Sequence, residues 1–437
     1  MVYELKVLEQ CKIFPPPCSA ANSRPSLPLT FFDIVFHNFH PVQRVFFYET
    51  SLSTSIFLLS ELPKLTKSLA LTLNLFYPLA GKLKRTSDGQ QPQVLCSDDD
   101  DFVWLTVAAS GDDFYDLAGD HAREVARFHP LVPTLQSYGN GHAQAVLAIQ
   151  VTIFPNVGVA IGTTLHHAVA DGSSYTHFMK TWARVHKQEE TTRPFLDRSV
   201  VLDPKGLKGR FLKDLEEFED DTSFDAWDLT TKLNVVRATF VFSNGRLAGL
   251  KSKTKVQCSP YALACGFAWA GLVHARRSTS KVEHFGFVTG CRARSDPPIP
   301  SNYFGNCLGI CCVEAKRSDL VGVDGAVVAA EAIWRVIKSL EDGAFRYAGD
   351  WVKNVRKYAA ARAVTVAGSP KLVIYEVDFG WGRPRKVEIV SIERTGALGL
   401  AESREEEGGI EVGLALPRHE MEAFIAFYDN NGVIFGK

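Results

Sequence analysis

Apolar residues change their spacing abruptly in the middle of the chain. Residues 145–154 are rich in β-branched side chains and place Gln150 and Thr152 on one face, which predicts a strand. Pro155-Asn156-Val157-Gly158 has turn chemistry, so 159–165 is expected to return as the hairpin partner. Beyond Gly172 the apolar positions become Tyr175, Phe178, Met179 and Trp182, the i, i+3, i+4, i+7 spacing of an amphipathic helix. His166, His167 and Asp171 therefore fall at a strand-to-helix junction, where side chains escape both the sheet ladder and the helix interior.

Elsewhere the same pattern logic predicts fewer elements. An apolar segment opens at Leu27-Pro28-Leu29-Thr30-Phe31-Phe32-Asp33 and continues into a strand through Val45-Phe46-Phe47-Tyr48. Leu65, Leu69 and Leu73 give a helix over 62–75, ended by Pro78 and Gly81. Residues 188–234 are polar and then acidic with little periodicity, and read as a crossover between domains 1–187 and 235–437. The second half predicts a strand over 235–242, helices over 260–275 and around Val327, Ala330, Ile333, Trp334 and Ile337, and strands over 371–377, 386–392 and 410–416. Met421, Phe424, Ile425 and Tyr428 mark a C-terminal helix. No fixed-period repeat is visible, which excludes a solenoid.

A chain of 437 residues with 46% hydrophobic content can build two or three compact domains. Its net charge of −1 gives no electrostatic case for nucleic acid or an anionic membrane. Nine cysteines without metal spacing read as reduced, mostly buried thiols. The start lacks the layout of a secretory signal, and the apolar run over 260–275 is too short to span a bilayer, so a cytoplasmic protein is expected. The acidic run Asp98-Asp99-Asp100-Asp101 reads as a solvated turn and not a metal site.

Two stretches carry candidate chemistry. An imidazole at the 166–171 junction can take a proton from a hydroxyl near neutral pH. The same residues are equally consistent with a satisfied, partly buried histidine and an aspartate that caps the following helix. Asp378-Phe379-Gly380-Trp381-Gly382 reads as a tight turn with a tryptophan packed beneath it.

Taken together, His167-Ala168-Val169-Ala170-Asp171 and Asp378-Phe379-Gly380-Trp381-Gly382 resemble the paired signatures of the plant BAHD acyltransferases. That family transfers acyl groups from coenzyme A thioesters to alcohols or amines. Ser26 to Asp33, Tyr77-Pro78-Leu79-Ala80-Gly81, Asp197-Arg198-Ser199 and Ala367-Gly368-Ser369-Pro370-Lys371 resemble the family in order, and Tyr303-Phe304-Gly305-Asn306-Cys307 is similar to the mark of its anthocyanin and flavonoid glycoside branch. Gly290, where relatives carry aspartate before the Cys-Arg pair, and Cys258-Ser259-Pro260-Tyr261 depart from the pattern.

The resemblance implies an α/β, two-domain fold like chloramphenicol acetyltransferase, with mixed sheets and a channel between the domains. It implies a cytoplasmic monomer that uses acyl-CoA as co-substrate, with no metal and no permanently bound cofactor. His167 is then the general base toward a sugar hydroxyl of a phenolic glycoside, with direct transfer and no acyl-enzyme. Asp171 becomes a structural partner of Arg292. Asp378, commonly counted with the catalytic residues, holds the channel's shape with Gly172, Gly380, Trp381 and Gly382. Arg44 and Ser259 become coenzyme A contacts. The donor is malonyl-CoA or a hydroxycinnamoyl-CoA; a malonyl tail calls for a cation in the channel, and Lys180 on the helix after the histidine is available. The alternatives are N-acylation of a polyamine, or a non-catalytic member that binds a small molecule or partner.

Overall fold

The computed structural model describes residues 5–17, 24–84, 91–97, 100–217, 223–230, 232–276 and 278–435. Strands β1 (Leu5–Ile13), β2 (Val42–Glu49), β3 (Val103–Ser110), β4 (Arg123–Glu124), β5 (Leu147–Phe154) and β6 (Gly158–Leu165) lie in the first half. The second half supplies β7 (Val235–Phe242), β8 (Val282–Gly290), β9 (Leu308–Lys316), β10 (Thr365–Gly368), β11 (Lys386–Ile389), β12 (Ala397–Glu402) and β13 (Ile410–Pro417). One mixed sheet has the order β1-β3-β5-β6-β2-β11 and another the order β10-β12-β13-β7-β4. Each thus contains one strand from the other half of the chain.

The hairpin of β5 and β6 lies at the middle of the first sheet, in register from Leu147 opposite Leu165 to Phe154 opposite Gly158. Every residue of both strands is buried, which is why their composition is nearly continuous apolar. Asn156 takes the left-handed conformation (φ 63°) that the turn requires. Gly162 is forced by packing: a Cβ there would meet the Leu131 carbonyl oxygen at 1.9 Å. Leaving β6, the chain enters helix α1 (Gly172–His186), which buries Tyr175, Phe178, Met179 and Trp182.

The strand exchange brings charge into the interior. Glu388 on β11 accepts from Arg123 (2.8 Å) on β4 and Arg237 (3.1 Å) on β7, and Lys386 bonds Glu411 (2.9 Å) on β13. The two arginines hold the Glu388 carboxyl at about 2 even against the penalty of burial.

Several expectations need correction. Residues 371–377 form no strand but two 3₁₀ turns, Pro370–Leu372 and Ile374–Glu376. Val373 between them is left-handed (φ 49°), and the Tyr375 N–H goes to the Glu402 side chain (2.7 Å). The 386–392 strand stops at Ile389. The crossover contains an amphipathic helix, Leu207–Glu217, that buries Leu207 and Phe211; residues 218–221, the rest of its acidic run, lie outside the described residues. The 27–48 segment makes a helical turn over Phe31–Ile34, boxed by Thr30 and Asp33, before β2 begins. In the acidic run, Asp98 and Asp99 lie outside the described residues, while Asp101 is buried and accepts from the Ser97 N–H (2.7 Å), so it is not solvated.

Candidate active site

His167 sits two residues past β6 and five before α1, in a loop whose His166 neighbour is buried. Its carbonyl is held directly by one distant segment and through it by two more. The Asn306 amide donates to the His167 carbonyl (2.9 Å), and the Asn306 backbone and side-chain N–H groups both donate to Asp33 Oδ1 (3.0 Å each). Asp33 Oδ2 accepts from the Thr30 N–H (2.8 Å) and hydroxyl (2.7 Å) and faces Arg198 (3.4 Å), which in turn donates to the Tyr303 hydroxyl (2.6 Å). The Ser26 to Asp33, Asp197 to Ser199 and Tyr303 to Cys307 stretches therefore converge beneath one histidine.

The ring itself stacks on Phe36, with centroids 4.2 Å apart and planes 13° from parallel. Nδ1 is buried without a hydrogen-bond partner, although the residue as a whole is only half-buried. Burial pulls the imidazole pKa below its ordinary 6.5 despite Asp171, Asn306 and Asp33 acting the other way. The ring is thus neutral at pH 7 and able to accept a proton.

Asp171 is fully committed elsewhere. Oδ1 accepts from the Ser174 N–H (2.9 Å), capping α1, and from Arg292 (3.1 Å); Oδ2 accepts from Arg292 (2.7 Å) and the Cys307 N–H (3.1 Å). Arg292 also donates to Ser174 Oγ (3.1 Å) and to the carbonyls of Tyr303 (3.0 Å) and Gly305 (3.2 Å). One guanidinium thereby ties the helix start to the Tyr303–Cys307 segment. Gly290 leaves open space where a Cβ would stand, and its carbonyl accepts from Arg294 (2.7 Å). Burial pushes the nearby Cys291 thiol up to about 12 and the Cys307 thiol higher still, so neither offers a thiolate near neutral pH.

Asp378 is engaged with its own loop: Oδ1 accepts from the Gly380 (2.7 Å) and Gly382 (2.9 Å) N–H groups, and Oδ2 lies 3.8 Å from Lys187. Both glycines have positive φ, 95° and 88°. Trp381 packs edge-on against Tyr48 (5.6 Å) and donates to Glu61 (3.3 Å). Gly172 packs close to Leu372, whose Cδ1 an added Cβ would meet at 3.0 Å.

The expected coenzyme A and donor contacts are placed differently from one another. Ser259 caps helix α2 (Pro260–Ala275), its hydroxyl accepting from the Ala262 N–H (3.2 Å). Arg44 is buried on β2 beneath Tyr175, its guanidinium 4.9 Å from the ring centre. Lys180 is already paired with Glu376 (2.7 Å). Asn306, Asp33 and Phe36 were not singled out from sequence as site residues. Their signal was only that each lies within or beside a family-like stretch, because a lone amide, carboxylate or phenylalanine announces no chemistry.

This architecture, two mixed sheets that exchange strands with a histidine loop leaving the central hairpin, is the chloramphenicol-acetyltransferase-like fold. The crystal structure of vinorine synthase shares it with a TM-score of 0.71 at 20% identity, over 96% of each chain. The Transferase family model matches residues 5–428, and the chain belongs to that family, which is that of the BAHD acyltransferases. Among its relatives, malonyl-coenzyme A:anthocyanin 3-O-glucoside-6''-O-malonyltransferase of Dahlia pinnata is 35% identical, over 96% of each chain. Coumaroyl-CoA:anthocyanidin 3-O-glucoside-6''-O-coumaroyltransferase 2 of Arabidopsis thaliana is 34% identical, over 96% of this chain and 95% of its own.

Proposed function

We propose that this protein transfers an acyl group, malonyl or hydroxycinnamoyl, from its coenzyme A thioester to a primary sugar hydroxyl of a phenolic glycoside. The observation that carries the reading is the state of His167: a neutral imidazole whose backbone carbonyl is pinned through Asn306 to Asp33. His167 Nε2 removes the hydroxyl proton as the oxygen attacks the thioester carbonyl, forming the new C–O bond and a tetrahedral oxyanion. Collapse breaks the C–S bond, and the imidazolium returns the proton to the departing coenzyme A sulfur. Atoms balance without a covalent acyl-enzyme, in keeping with thiols that burial holds protonated.

On this reading Asp171 and Arg292 fix the start of α1, Asp378 fixes its glycine loop, and neither carboxylate handles the reacting proton. The two halves act as two domains with the substrate channel between them, and the enzyme works as a monomer in the cytoplasm. Among the described residues no helix is long and apolar enough to cross a membrane.

The test pairs malonyl-CoA and p-coumaroyl-CoA with a flavonoid glucoside and with its aglycone. Thiol release and product mass are both read. Acylation of the glucoside alone is expected. Equal acylation of the aglycone, or no thiol release with any pair, overturns the reading.

A further inference from the structure

Arg44 presents an arrangement that a folded interior rarely tolerates. It is only 5% exposed, yet Nε and Nη1 are buried with no hydrogen-bond partner. A buried cation left unpaired is costly, and arginine does not escape by losing its proton. Glu402, which acts on it electrostatically, makes no ion pair with it; its Oε1 takes the Tyr375 N–H and its Oε2 is itself unpartnered. The guanidinium is therefore built without the anion that would complete it.

The space beside it matches a small anion. Arg44 lines a narrow cavity of about 30 Å³ together with Leu372, Ile374 and Ile389. That is room for about two water-sized groups, the requirement of one carboxylate. Two carboxylates also line it, but Glu388 is held by Arg123 and Arg237, and Glu411 by Lys386 and the Tyr375 hydroxyl.

The cavity also lies close to the chemistry. Arg44 pairs with Thr163 on β6, two residues before Leu165, where the strand ends and the His167 loop begins. At about 3.4 Å per residue those two steps cover roughly 7 Å. Tyr175 closes the same corner, its hydroxyl 2.7 Å from Thr163 Oγ1, and Leu372 reaches from the cavity to Gly172 at the start of α1.

We propose that Arg44 receives the free carboxylate of a dicarboxylic acyl group, so that this chain takes malonyl-CoA or a similarly short, acid-tailed thioester as its donor. The inference rests on the acyl-transfer reading above and selects between the donor classes that reading leaves open. It also replaces Lys180 in that role, since Lys180 already has Glu376. It moves Arg44 from the coenzyme A moiety to the acyl end of the donor, because a cavity of about 30 Å³ suits a single carboxylate.

The test compares wild type with Arg44→Met, an apolar replacement of similar length that a buried site tolerates well. Two readouts are taken: kcat/KM with malonyl-CoA, acetyl-CoA and p-coumaroyl-CoA, and calorimetric binding of malonyl-CoA and acetyl-CoA without acceptor. Charge-assisted hydrogen bonds of this kind make malonyl-CoA lose roughly tenfold to hundredfold in Arg44→Met, with the uncharged donors within about threefold of wild type. If Arg44→Met does not fold, Arg44→Lys decides, because it keeps the charge and loses the fork; its malonyl preference falls by roughly threefold to tenfold. An equal loss with all donors, or no loss with malonyl-CoA, overturns the proposal. Wild type that acylates the glucoside from p-coumaroyl-CoA but not from malonyl-CoA overturns the proposal alone and leaves acyl transfer standing. If no donor turns over, acyl transfer fails, and binding still judges Arg44: a malonyl preference lost in the variant supports it, and equal binding of both donors refutes it.

Discussion

Removing Arg292 isolates a carboxylate whose side chain is completely buried, and the cost can be worked from its contacts. Arg292→Ala takes two N–H donors from Asp171 and releases Ser174 Oγ and the carbonyls of Tyr303 and Gly305. An uncompensated buried charge costs about 3 to 5 kcal/mol. Asp171 keeps the Ser174 and Cys307 N–H groups, which places the loss toward the lower end, about 3 kcal/mol. With about 2.1 cal/mol/K of unfolding entropy per residue over 437 residues, the total is about 0.9 kcal/mol/K, so the melting temperature should drop about 3 °C. Asp171→Ala should cost a similar amount, about 1 kcal/mol of it from the lost helix cap. In calorimetry of the four proteins, the double variant should lose less than the two single losses added, by about 1 to 3 kcal/mol. Additive losses would refute the pairing as the source of stability. A fully stable but inactive Asp171→Ala protein would instead give the carboxylate a part in proton transfer.

Asn306→Ala should lower kcat roughly tenfold with little change in the KM of either substrate, since it frees the His167 carbonyl and not a substrate contact; a KM effect alone would contradict this. Because the active imidazole is neutral and burial lowers its pKa from the ordinary 6.5, kcat/KM should fall toward acid pH with a midpoint below 6.5. An acid limb centred above 6.5 would place the base elsewhere. Glu388, lowered from 4.5 to about 2, contributes stability that is fully present above 4.5 and lost as pH falls toward 2, about 3 kcal/mol in all. Glu388→Gln should flatten that slope in acid unfolding, and an unchanged slope would assign it to other carboxylates.

What the sequence revealed follows the range of the forces involved. The β5–β6 hairpin and α1 were legible because the turn at Asn156, the buried runs and the Tyr175, Phe178, Met179, Trp182 face are all local, and together they placed His167 correctly at a junction. The Asp171–Arg292 pair, 121 residues apart, came from family resemblance and not from spacing. The Asp33–Asn306 bond spans 273 residues and joins side chains that suggest nothing alone. Residues 371–377 misled because their β-forming composition is overridden at one position, where Val373 turns left-handed. The strand exchange was invisible for a different reason. β4 is two polar residues long and is defined by pairing with Val236 and Arg237 and by the Arg123–Glu388 bond, neither of which any local pattern encodes.

Whether His167 moves the acceptor's proton is read by single-turnover transfer in wild type and His167→Ala with donor and glucoside both saturating. The expected rate in the variant is about 10² to 10⁴ lower, with acyl-CoA affinity unchanged and no acyl group left on either protein when acceptor is withheld. A variant that transfers at close to the wild-type rate, or a wild-type protein that accumulates a covalent acyl adduct without acceptor, would contradict it.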